Sequence, residues 1–410
     1  MQGHEFFAEQ ETDAGPLEGL RVLEATAYGP GPLCGQVLCD LGAESIKIDL
    51  PGSGDPARHI PPFVSAEPAQ RIEASVWHLT FNRGKRCITL DIRQPRGQDI
   101  FRDLVRRSDV LIESFTPGTM DAWGLGYAAL GALQPGLIYV SISAFGQYGP
   151  WRERKGFDPM AQAMSGLMHV TGEAGGGPLR SGNATIDHMA AWHGAMGVMA
   201  ALHHRDATGE GQWLDVGLTD VALYCSDINI MGAAGAGYHM RRLGNAVDAA
   251  APFDSYPSAD GRHLFVNAAI DAHWARLCTL MQRDDLLPLD YAERLQRRDE
   301  INALVGAWVG SQPLEATLAQ LDQAGITCGP VLEFDDILQH PHFRERGSIT
   351  TMTDAEFGEL TTYAPGPKLS RSPARIRASA PRLGADNDAV YGSLGLGDRE
   401  QQALREDRII

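Results

Sequence analysis

The chain has 410 residues, of which 43% are hydrophobic and 21% are charged, so it can bury a sizeable core, and wholesale disorder is excluded. Its length is typical of about two or three domains, or of fewer if one of them is a large α/β unit. The 52 acidic side chains outnumber the 35 basic ones and give a net charge of −17, which argues against broad nucleic-acid binding because that requires a basic face.

A membrane-spanning segment is not expected, because no run of about 18 apolar residues is present. Residues 1–16 are acidic and lack the basic and apolar regions of a secretory leader, so we predict a loose N-terminal tail on a cytoplasmic protein. The six cysteines are scattered and contain no CxxC pair. They are expected to be small buried thiols and neither disulfides nor zinc ligands.

Strands and helices alternate in the first part of the chain. Apolar, β-branched segments predict strands at 20–26, 45–50, 85–92, 109–115 and 137–146. Helices are predicted at 33–44 and at 95–108, where Pro95 opens the first turn. This alternation predicts an α/β domain with a parallel sheet that helices cover on both faces.

The second part of the chain changes in texture. Residues 187–205 are rich in alanine and glycine and predict a long helix that its neighbours can approach closely. Residues 209–225 predict a strand and a helix, and GAAGAG at 232–237 predicts a flexible connector. From about residue 252 to 345 we expect a smaller α+β module that opens with a hairpin around an ADG turn. Three further helices are expected at 271–283, at 299–323 and over the charged segment 398–407.

The segment GPGPLCG at 29–35 follows a predicted strand and opens a predicted helix, and Asp49 ends the next strand. This arrangement imitates a dinucleotide-binding fingerprint, but Cys34 stands where the third glycine belongs, and two prolines remove N–H donors that would hold a phosphate. The departure favours a tight strand-to-helix turn. A pocket for a different nucleotide-containing ligand is a third interpretation.

Two charged features have both a structural and a functional interpretation. Arg83, Lys85 and Arg86 are either a solvated basic turn or a cluster that binds phosphates. Asp187 stands at the front of the long helix. There it is either an N-terminal cap, with Thr185 sharing the role, or a nucleophilic carboxylate that the helix dipole keeps ionised.

Several other catalytic patterns are missing from the sequence. The absence of GxSxG, HExxH, GxxxxGK[ST] and CxxC argues against serine hydrolases, zinc proteases, P-loop NTPases and thiol redox enzymes. His188 and His193 lie on other faces of the helix than Asp187. His340 and His342 lack the carboxylate or thiol spacing of a metal site, so no metal is expected.

Eight segments together resemble one family, the family III CoA-transferases, also called the CaiB/BaiF family. The family includes formyl-CoA transferase and carnitine CoA-transferase, and α-methylacyl-CoA racemase is a relative. The matching segments span roughly residues 16–390 in the family's order and are PLEGLRVLEAT, GPLCGQVLCDLGAESIKIDLPGSGDPAR, FNRGKRCITLDI, DVLIESFTPGTMDAWGLGY, GFDPMAQAMSGLMHVTG, GEGQWLDVGL, GITCGPVLEFDDILQHP and APRLGADNDAV.

The resemblance implies a large Rossmann-like α/β domain and a smaller α+β domain, in a homodimer whose two subunits interlock like chain links. Carried over to this chain, the large domain covers 17–230, a linker 231–251 and the small domain 252–345, and residues 346–410 return to the large domain.

The family's catalytic aspartate lies in a segment of the form G-x-x-x-x-D, which is GNATID here, so the resemblance assigns the nucleophile to Asp187. It implies attack on an acyl-CoA thioester, a mixed anhydride, an aspartyl-CoA thioester and transfer of CoA to a free carboxylic acid. The implied partners are an acyl-CoA donor, an acid acceptor and a second copy of the chain, without nucleic acid or membrane. Coenzyme A takes part as substrate, and no metal, flavin or nicotinamide is implied.

Contacts to CoA are also implied by the resemblance. The matching positions are Tyr28, Leu90, Arg93, Ser114, Phe115 and Lys155, and the basic loop of Arg83, Lys85 and Arg86 belongs to the same pattern. Leu50, Thr116 and Ala122 replace arginines of the family, so the cations that hold the CoA phosphates stay open, with Lys155 the first choice. The GAAGAG segment is a candidate source of oxyanion donors or a lid.

Other functions stay open at this point. A racemase needs two acid–base groups, and Phe157 stands where the racemase relatives carry a histidine, although His169 or His188 could substitute. A non-catalytic acyl-CoA-binding protein is a second alternative, and a dinucleotide oxidoreductase is a third. Residues that either line an acyl pocket or belong to the core are Trp192, Tyr224, Met231 and Tyr238.

Overall fold

The computed structural model describes residues 14–410, so residues 1–13 of the predicted N-terminal tail lie outside the described part of the chain. The chain divides into two compact units. One contains the described residues up to 165 together with 181–227 and 341–410, and the other contains 166–180 and 228–340.

The first unit is built on a six-stranded sheet. Its strands are β1 (Arg21–Ala25), β2 (Glu44–Asp49), β3 (Arg86–Thr89), β4 (Val110–Glu113), β5 (Ile138–Ser143) and β6 (Trp213–Gly217). They lie in the order β3-β2-β1-β4-β5-β6, and every neighbouring pair is parallel. Leu23 of β1 lies opposite Ile46 of β2 and Leu111 of β4. This strand order is that of doubly wound folds, so the predicted α/β class is confirmed.

Helices connect these strands. Their bounds are Pro30–Asp40, Val76–Phe81, Pro95–Val105, Thr119–Ala122, Tyr127–Leu133, Asp158–Met164, Thr185–Thr208 and Leu218–Tyr224, with short 3₁₀ turns at Pro56–His59 and Pro68–Gln70. The helix Thr185–Thr208, called the long helix below, extends the predicted helix by a few residues at each end. Pro30 and Pro95 each stand at the first helical position, where a missing N–H costs nothing.

Small residues let the long helix pack closely, as its composition predicts. A Cβ on Gly194 would lie 2.9 Å from the Cys34 sulfur, and one on Gly197 would lie 2.4 Å from Leu214. On the other face of the sheet, Phe101 and Leu104 of the helix Pro95–Val105 pack with the buried strand residues and with Ile409 near the chain end. All six cysteines are free thiols, four of them buried.

The second unit contains an antiparallel sheet. β7 (Phe253–Pro257) and β8 (His263–Asn267) form the predicted hairpin, and β9 (Thr327–Pro330) pairs with β8. The helices of this unit are Leu167–Val170, Asn229–Met231, Asp271–Met281, Tyr291–Gln296, Arg298–Gly310, Leu314–Gln323 and Phe334–Gln339, and a 3₁₀ turn covers Asp284–Leu286.

Two expectations for this unit are wrong in detail. The predicted single helix at 299–323 is two helices, because Pro313 has no N–H and restricts the residue before it, which ends the first helix. The predicted connector GAAGAG is largely a π-helix over Gly232–Ala236, followed by Gly237 at a φ of 62°.

The C-terminal segment belongs to the first unit. After a short helix, Pro341–Glu345, β10 (Ile349–Asp354) and β11 (Gly358–Tyr363) form an antiparallel pair, and two helices follow at Asn387–Ser393 and Asp398–Glu406. Asp386 joins this segment to β3, since its N–H donates to the Cys87 carbonyl at 3.0 Å and its carboxylate accepts the Cys87 N–H at 2.8 Å. Within residues 14–410, no helix is both long enough and apolar enough to cross a membrane.

Candidate active site

A cavity of about 390 Å³ lies in the first unit at the carboxyl ends of β1, β4 and β5. Its lining residues are Ala27, Tyr28, Pro30, 114–117, 142–144, Arg152, 154–157, Asp187 and Leu218. β1 and β4 are neighbours at the centre of the sheet, where the strand order reverses, and doubly wound folds bind their ligands at this point. Of the residues predicted to form a site, Asp187, Tyr28, Ser114, Phe115 and Lys155 meet here.

Asp187 is the third residue of the long helix and lines the cavity. Asp187 is not the capping residue of this helix. The N-cap position is Ala184, whose side chain cannot accept a hydrogen bond. The carboxylate of Asp158 takes that role from another helix. Its Oδ2 accepts the N–H of Ile186 at 2.6 Å and the N–H of Asp187 at 3.2 Å. The Asp187 side chain is therefore left available to the cavity.

The pKa of Asp187 is raised to about 7, chiefly by burial and further by the neighbouring carboxylate of Asp158. This direction is opposite to the expected effect of the helix dipole, because the loss of hydration outweighs the dipole here. A carboxylate with a pKa near 7 is more basic than an ordinary aspartate, yet it is still substantially ionised at neutral pH.

The glycines of GPGPLCG make room for side chains. A Cβ on Gly29 would lie 2.6 Å from Asp187 Oδ2, so Asp187 packs directly against the backbone of this turn. A Cβ on Gly31 would lie 2.7 Å from Thr26, and one on Gly35 would lie 2.0 Å from Glu24. The segment is the tight strand-to-helix turn that the sequence favoured, and these glycines face protein atoms.

Tyr28 and Phe157 form an aromatic pair in the cavity wall. Their rings meet edge to face with centroids 5.8 Å apart, and both residues are exposed, Tyr28 to 43% and Phe157 to 60%. Phe157 occupies the position at which the racemase relatives carry a histidine, and among the described residues that line this cavity there is no histidine. His188 instead packs edge to face on Phe81, and burial lowers the pKa of its imidazole.

Ser114 and Phe115 form the wall that follows β4. The hydroxyl of Ser114 accepts the N–H of Ala27 at 3.1 Å, which ties the turns after β1 and β4 together. The N–H of Phe115 donates to Glu113 at 2.9 Å, and its ring packs edge to face on Trp123.

Three cations stand close together in the cavity lining: Arg152, Arg154 and Lys155. All three are exposed. Arg152 pairs with its neighbour Glu153 at 3.1 Å, and the Arg154 guanidinium lies 5.7 Å from the ring centre of Trp151. We call residues 152–155 the basic turn. Sequence reasoning singled out Lys155 alone and missed the two arginines, although the letters RERK carry the signal.

The predicted basic loop does not reach this cavity. Arg83 is buried against Asp40 at 2.8 Å, and Lys85 is buried against Glu24 at 2.8 Å. Arg86 lies between Glu44 at 2.8 Å and Asp386 at 3.1 Å. Arg83 and Lys85 are thus not a solvated turn, because each is buried against a carboxylate of the same unit. Arg86 is also paired with carboxylates, but its side chain stays partly exposed.

Leu90 and Arg93 are also outside the cavity lining. Leu90 is buried in the core beside the helix Pro95–Val105. The guanidinium of Arg93 donates two hydrogen bonds to Asp91, at 2.7 and 2.9 Å, while most of the side chain stays exposed. Trp192, Tyr224 and Met231 are exposed, so the alternative that placed them in the core is wrong.

Asp158 is a further residue of the site that sequence reasoning did not identify. It stands in GFDPMAQ, one of the segments that carried the family resemblance, but its hydrogen bonds reach 28 and 29 residues along the chain. No local pattern signals such a contact, which depends on how two helices meet.

Known proteins of one family are similar to this chain over nearly its whole length. The family model CoA-transferase family III matches residues 17–387. A succinyl-CoA–D-citramalate CoA-transferase of Chloroflexus aurantiacus is 34% identical, over 96% of this chain and 98% of the relative. A succinate–glutarate CoA-transferase of Agrobacterium fabrum is 33% identical, over 92% and 96%.

A crystal structure of a CaiB/BaiF family protein from Brucella suis superposes with a TM-score of 0.84 at 32% identity, covering 93% of this chain and all of that one (100%). Rv3272 from M. tuberculosis superposes with a TM-score of 0.80 at 28% identity, covering 92% and 99%.

Proposed function

Since this chain belongs to CoA-transferase family III and is a CoA-transferase, we propose that it works through Asp187 as a covalent nucleophile. The observation that carries this proposal is the placement of Asp187. It is a half-buried carboxylate in the wall of the cavity at the reversal point of the sheet, and it is not used to cap its own helix. Its pKa of about 7 gives it the basicity that attack on a thioester needs.

The reaction divides into four acyl transfers whose atoms balance. Asp187 attacks the thioester carbonyl, which forms an aspartyl-acyl anhydride and releases CoA thiolate. The thiolate attacks the aspartyl carbonyl, which releases the donor acid and leaves an aspartyl-CoA thioester. The acceptor carboxylate attacks that thioester, which releases CoA thiolate again and forms a second anhydride. The thiolate then attacks the acceptor's acyl carbonyl and restores the Asp187 carboxylate. No proton, electron or phosphate is consumed, so coenzyme A as substrate suffices.

Binding of CoA is proposed at the cavity lining. On the side of β1 and β4, the cavity offers aromatic surface from Tyr28 and Phe115 and a polar group from Ser114. The basic turn offers three cations for the anionic groups of CoA. Lys155 stays the first choice for a CoA phosphate. The other predicted CoA contacts do not line this cavity, so its geometry does not support their predicted role. They are Arg83, Lys85, Arg86, Leu90 and Arg93.

The substrate class proposed is dicarboxylic. The relatives named for their activity use succinyl-CoA with citramalate, malate or mesaconate, or exchange CoA between succinate and glutarate. The cavity fits this class, because its wall is largely apolar while Arg152, Arg154 and Lys155 face the same space. A second carboxylate on the acyl chain has cations to meet there. We therefore infer succinyl-CoA as donor and a short dicarboxylic acid as acceptor.

An acceptor panel tests this assignment. With succinyl-CoA as donor, purified protein is expected to form new CoA thioesters with dicarboxylic acids of four or five carbons and not with acetate or butyrate, as read by liquid chromatography. Asp187→Asn is expected to abolish this exchange. Equal rates with the monocarboxylic acids would contradict the substrate class, and full activity of Asp187→Asn would contradict the nucleophile.

The proposal includes a homodimer, supported by an exposed apolar surface on the first unit. Trp192 and Met196 lie one turn apart on the long helix, and Leu223 and Tyr224 lie on the next helix. All four are exposed, and His193 contacts the Tyr224 ring at 5.4 Å, so the two helices lie side by side. An apolar surface of this kind is typical of a protein–protein interface.

The cellular location proposed is the cytoplasm. The six free thiols fit this location, because disulfides are rare there.

A further inference from the structure

Tyr28 has an unusual backbone conformation. Its φ is 65°, in the left-handed region that residues other than glycine seldom adopt. The next residue, Gly29, is the one against which Asp187 packs, at 2.6 Å from the position of an added Cβ. We call residues 26–29 the Tyr28 turn. Its conformation fixes both the wall behind Asp187 and the direction of an aromatic ring in the cavity.

Asp55 holds this conformation from a distant loop. Its Oδ1 accepts the N–H of Tyr28 at 3.0 Å and the N–H of Ala57 at 2.9 Å. Asp55 is buried, so these bonds are shielded from water. The carboxylate thus joins the Tyr28 turn to the 3₁₀ turn Pro56–His59, which it caps.

Lys47 on β2 completes the arrangement. Its ammonium lies 2.8 Å from Asp55 Oδ2 and donates to the carbonyl of Thr26 at 2.8 Å. Lys47 and Asp55 are fully buried, and the neighbouring carboxylate Asp49 lies 3.4 Å from the ammonium. The pair therefore forms hydrogen bonds with the Tyr28 turn at two points, the carbonyl of Thr26 and the N–H of Tyr28.

A buried ion pair is weak evidence of a stabilising role, because the cost of removing two charges from water is often as large as their attraction. Apolar side chains of similar volume would fill the same space. What they would not supply is an acceptor for the Tyr28 N–H and a donor for the Thr26 carbonyl. The geometry of the pair is therefore directed at the backbone of the turn.

We propose that Asp55 and Lys47 are positioning residues of the reaction at Asp187, which hold the Tyr28 turn in its left-handed conformation so that Gly29 seats the nucleophile. This inference rests on the proposed function. Neither residue lines the cavity, and both act through Tyr28 and Gly29. A misplaced nucleophile lowers the rate of the chemical step more than it weakens substrate binding.

The variant Asp55→Asn tests the inference. It keeps an oxygen for the two N–H groups but removes the charge that Lys47 faces. We expect kcat for CoA exchange to fall by about 10- to 100-fold, with a smaller change in KM. Asp354→Asn is the matched control, because Asp354 is also buried, accepts two backbone N–H groups and pairs with the cation of Arg382, but lies outside the cavity. It is expected to lower the melting temperature and leave kcat within about twofold.

Measuring Asp55→Asn in a protein that already carries Tyr28→Gly separates a positioning role of Asp55 from a general loss of stability. Glycine adopts a φ of 65° without help, so Asp55→Asn is expected to lower kcat less than about threefold when Tyr28→Gly is already present. An equal loss of kcat in both backgrounds, or an equal loss in Asp354→Asn, would overturn the inference. If Asp55→Asn does not fold, Lys47→Met in the same two backgrounds makes the same comparison. Absence of exchange in the unmodified protein would instead overturn the proposed function.

Discussion

At the scale of single residues, the site depends on two carboxylates with different tasks. Asp158 is buried and accepts two N–H groups at the start of the long helix, while Asp187 faces the cavity with a pKa raised to about 7 by burial and by Asp158. The sequence allowed a prediction of Asp187 as nucleophile, but only through the family resemblance, since spacing alone favoured a helix cap. The actual cap, Asp158, comes from a tertiary contact that no local pattern encodes.

The raised pKa of Asp187 predicts a pH-dependent rate. Because the proposed nucleophile is the ionised carboxylate, kcat/KM is expected to rise with pH and to level off above an apparent pKa of about 7. In Asp158→Asn the like charge is removed, so the pKa of Asp187 falls and this limb should move to lower pH. Rate profiles of both proteins from pH 5 to 9 check the shift, and an unchanged limb in the variant would contradict the electrostatic coupling.

The same pKa predicts a stability cost. Folding raises the pKa of Asp187 above its unfolded value, so the folded state holds the proton more tightly, and the ionised side chain lowers stability as pH rises from about 4 to about 7. Above that window Asp187→Asn should therefore be more stable than the unmodified protein, by on the order of 1 to 4 kcal/mol. Denaturant unfolding at pH 8 and pH 4.5 measures the gain, which should be smaller at the lower pH. A loss of stability at pH 8 would show that Asp187 is a structural residue.

At the scale of elements, the turn after β1 is the part that the sequence described well and interpreted incompletely. The turn and the presence of a helix after it were predicted correctly, because turn residues act locally, but the helix is Pro30–Asp40 and not 33–44. What the glycines of the turn make room for could not be predicted, since Asp187 lies far along the chain. The partners of the basic loop could not be predicted either. Arg83 and Lys85 pair with buried acids that are remote in sequence and come together only in the folded sheet.

Gly29→Ala tests how closely the turn and the nucleophile fit. The added methyl group would lie 2.6 Å from Asp187 Oδ2, so the carboxylate must move, and we expect kcat to fall by about 10-fold or more. Gly392→Ala is the control, because its Cβ meets no atom within 4 Å and it stands in the helix Asn387–Ser393, where alanine is favoured. Similar kcat values for both variants would contradict the close fit.

At the scale of the whole molecule, the α/β class and nearly every strand of the large sheet could be predicted, because buried parallel strands are continuous apolar segments. The strand order could not, since it depends on contacts between segments that are remote in sequence. A large and a small domain were predicted, but the membership of residues 166–180 in the second unit was not, for the same reason. The second unit was harder to predict. One helix was predicted at 299–323, but two helices are present, separated at Pro313.

The proposed homodimer makes a prediction at this scale. Light scattering is expected to give a mass about twice the 44.3 kDa of one chain. Met196→Asp together with Tyr224→Asp places charges on the exposed apolar surface, so the double variant should be largely monomeric or poorly soluble. A monomeric unmodified protein at micromolar concentration would contradict the proposal.

The central claim is that Asp187 becomes covalently acylated. The most direct measurement is to incubate the protein with succinyl-CoA, quench with hydroxylamine and map the modified peptides by mass spectrometry, with Asp187→Asn treated in parallel. The account predicts a hydroxamate on Asp187, formed only when the thioester is present. An unmodified Asp187 during active CoA exchange, or a hydroxamate on another carboxylate, would contradict it.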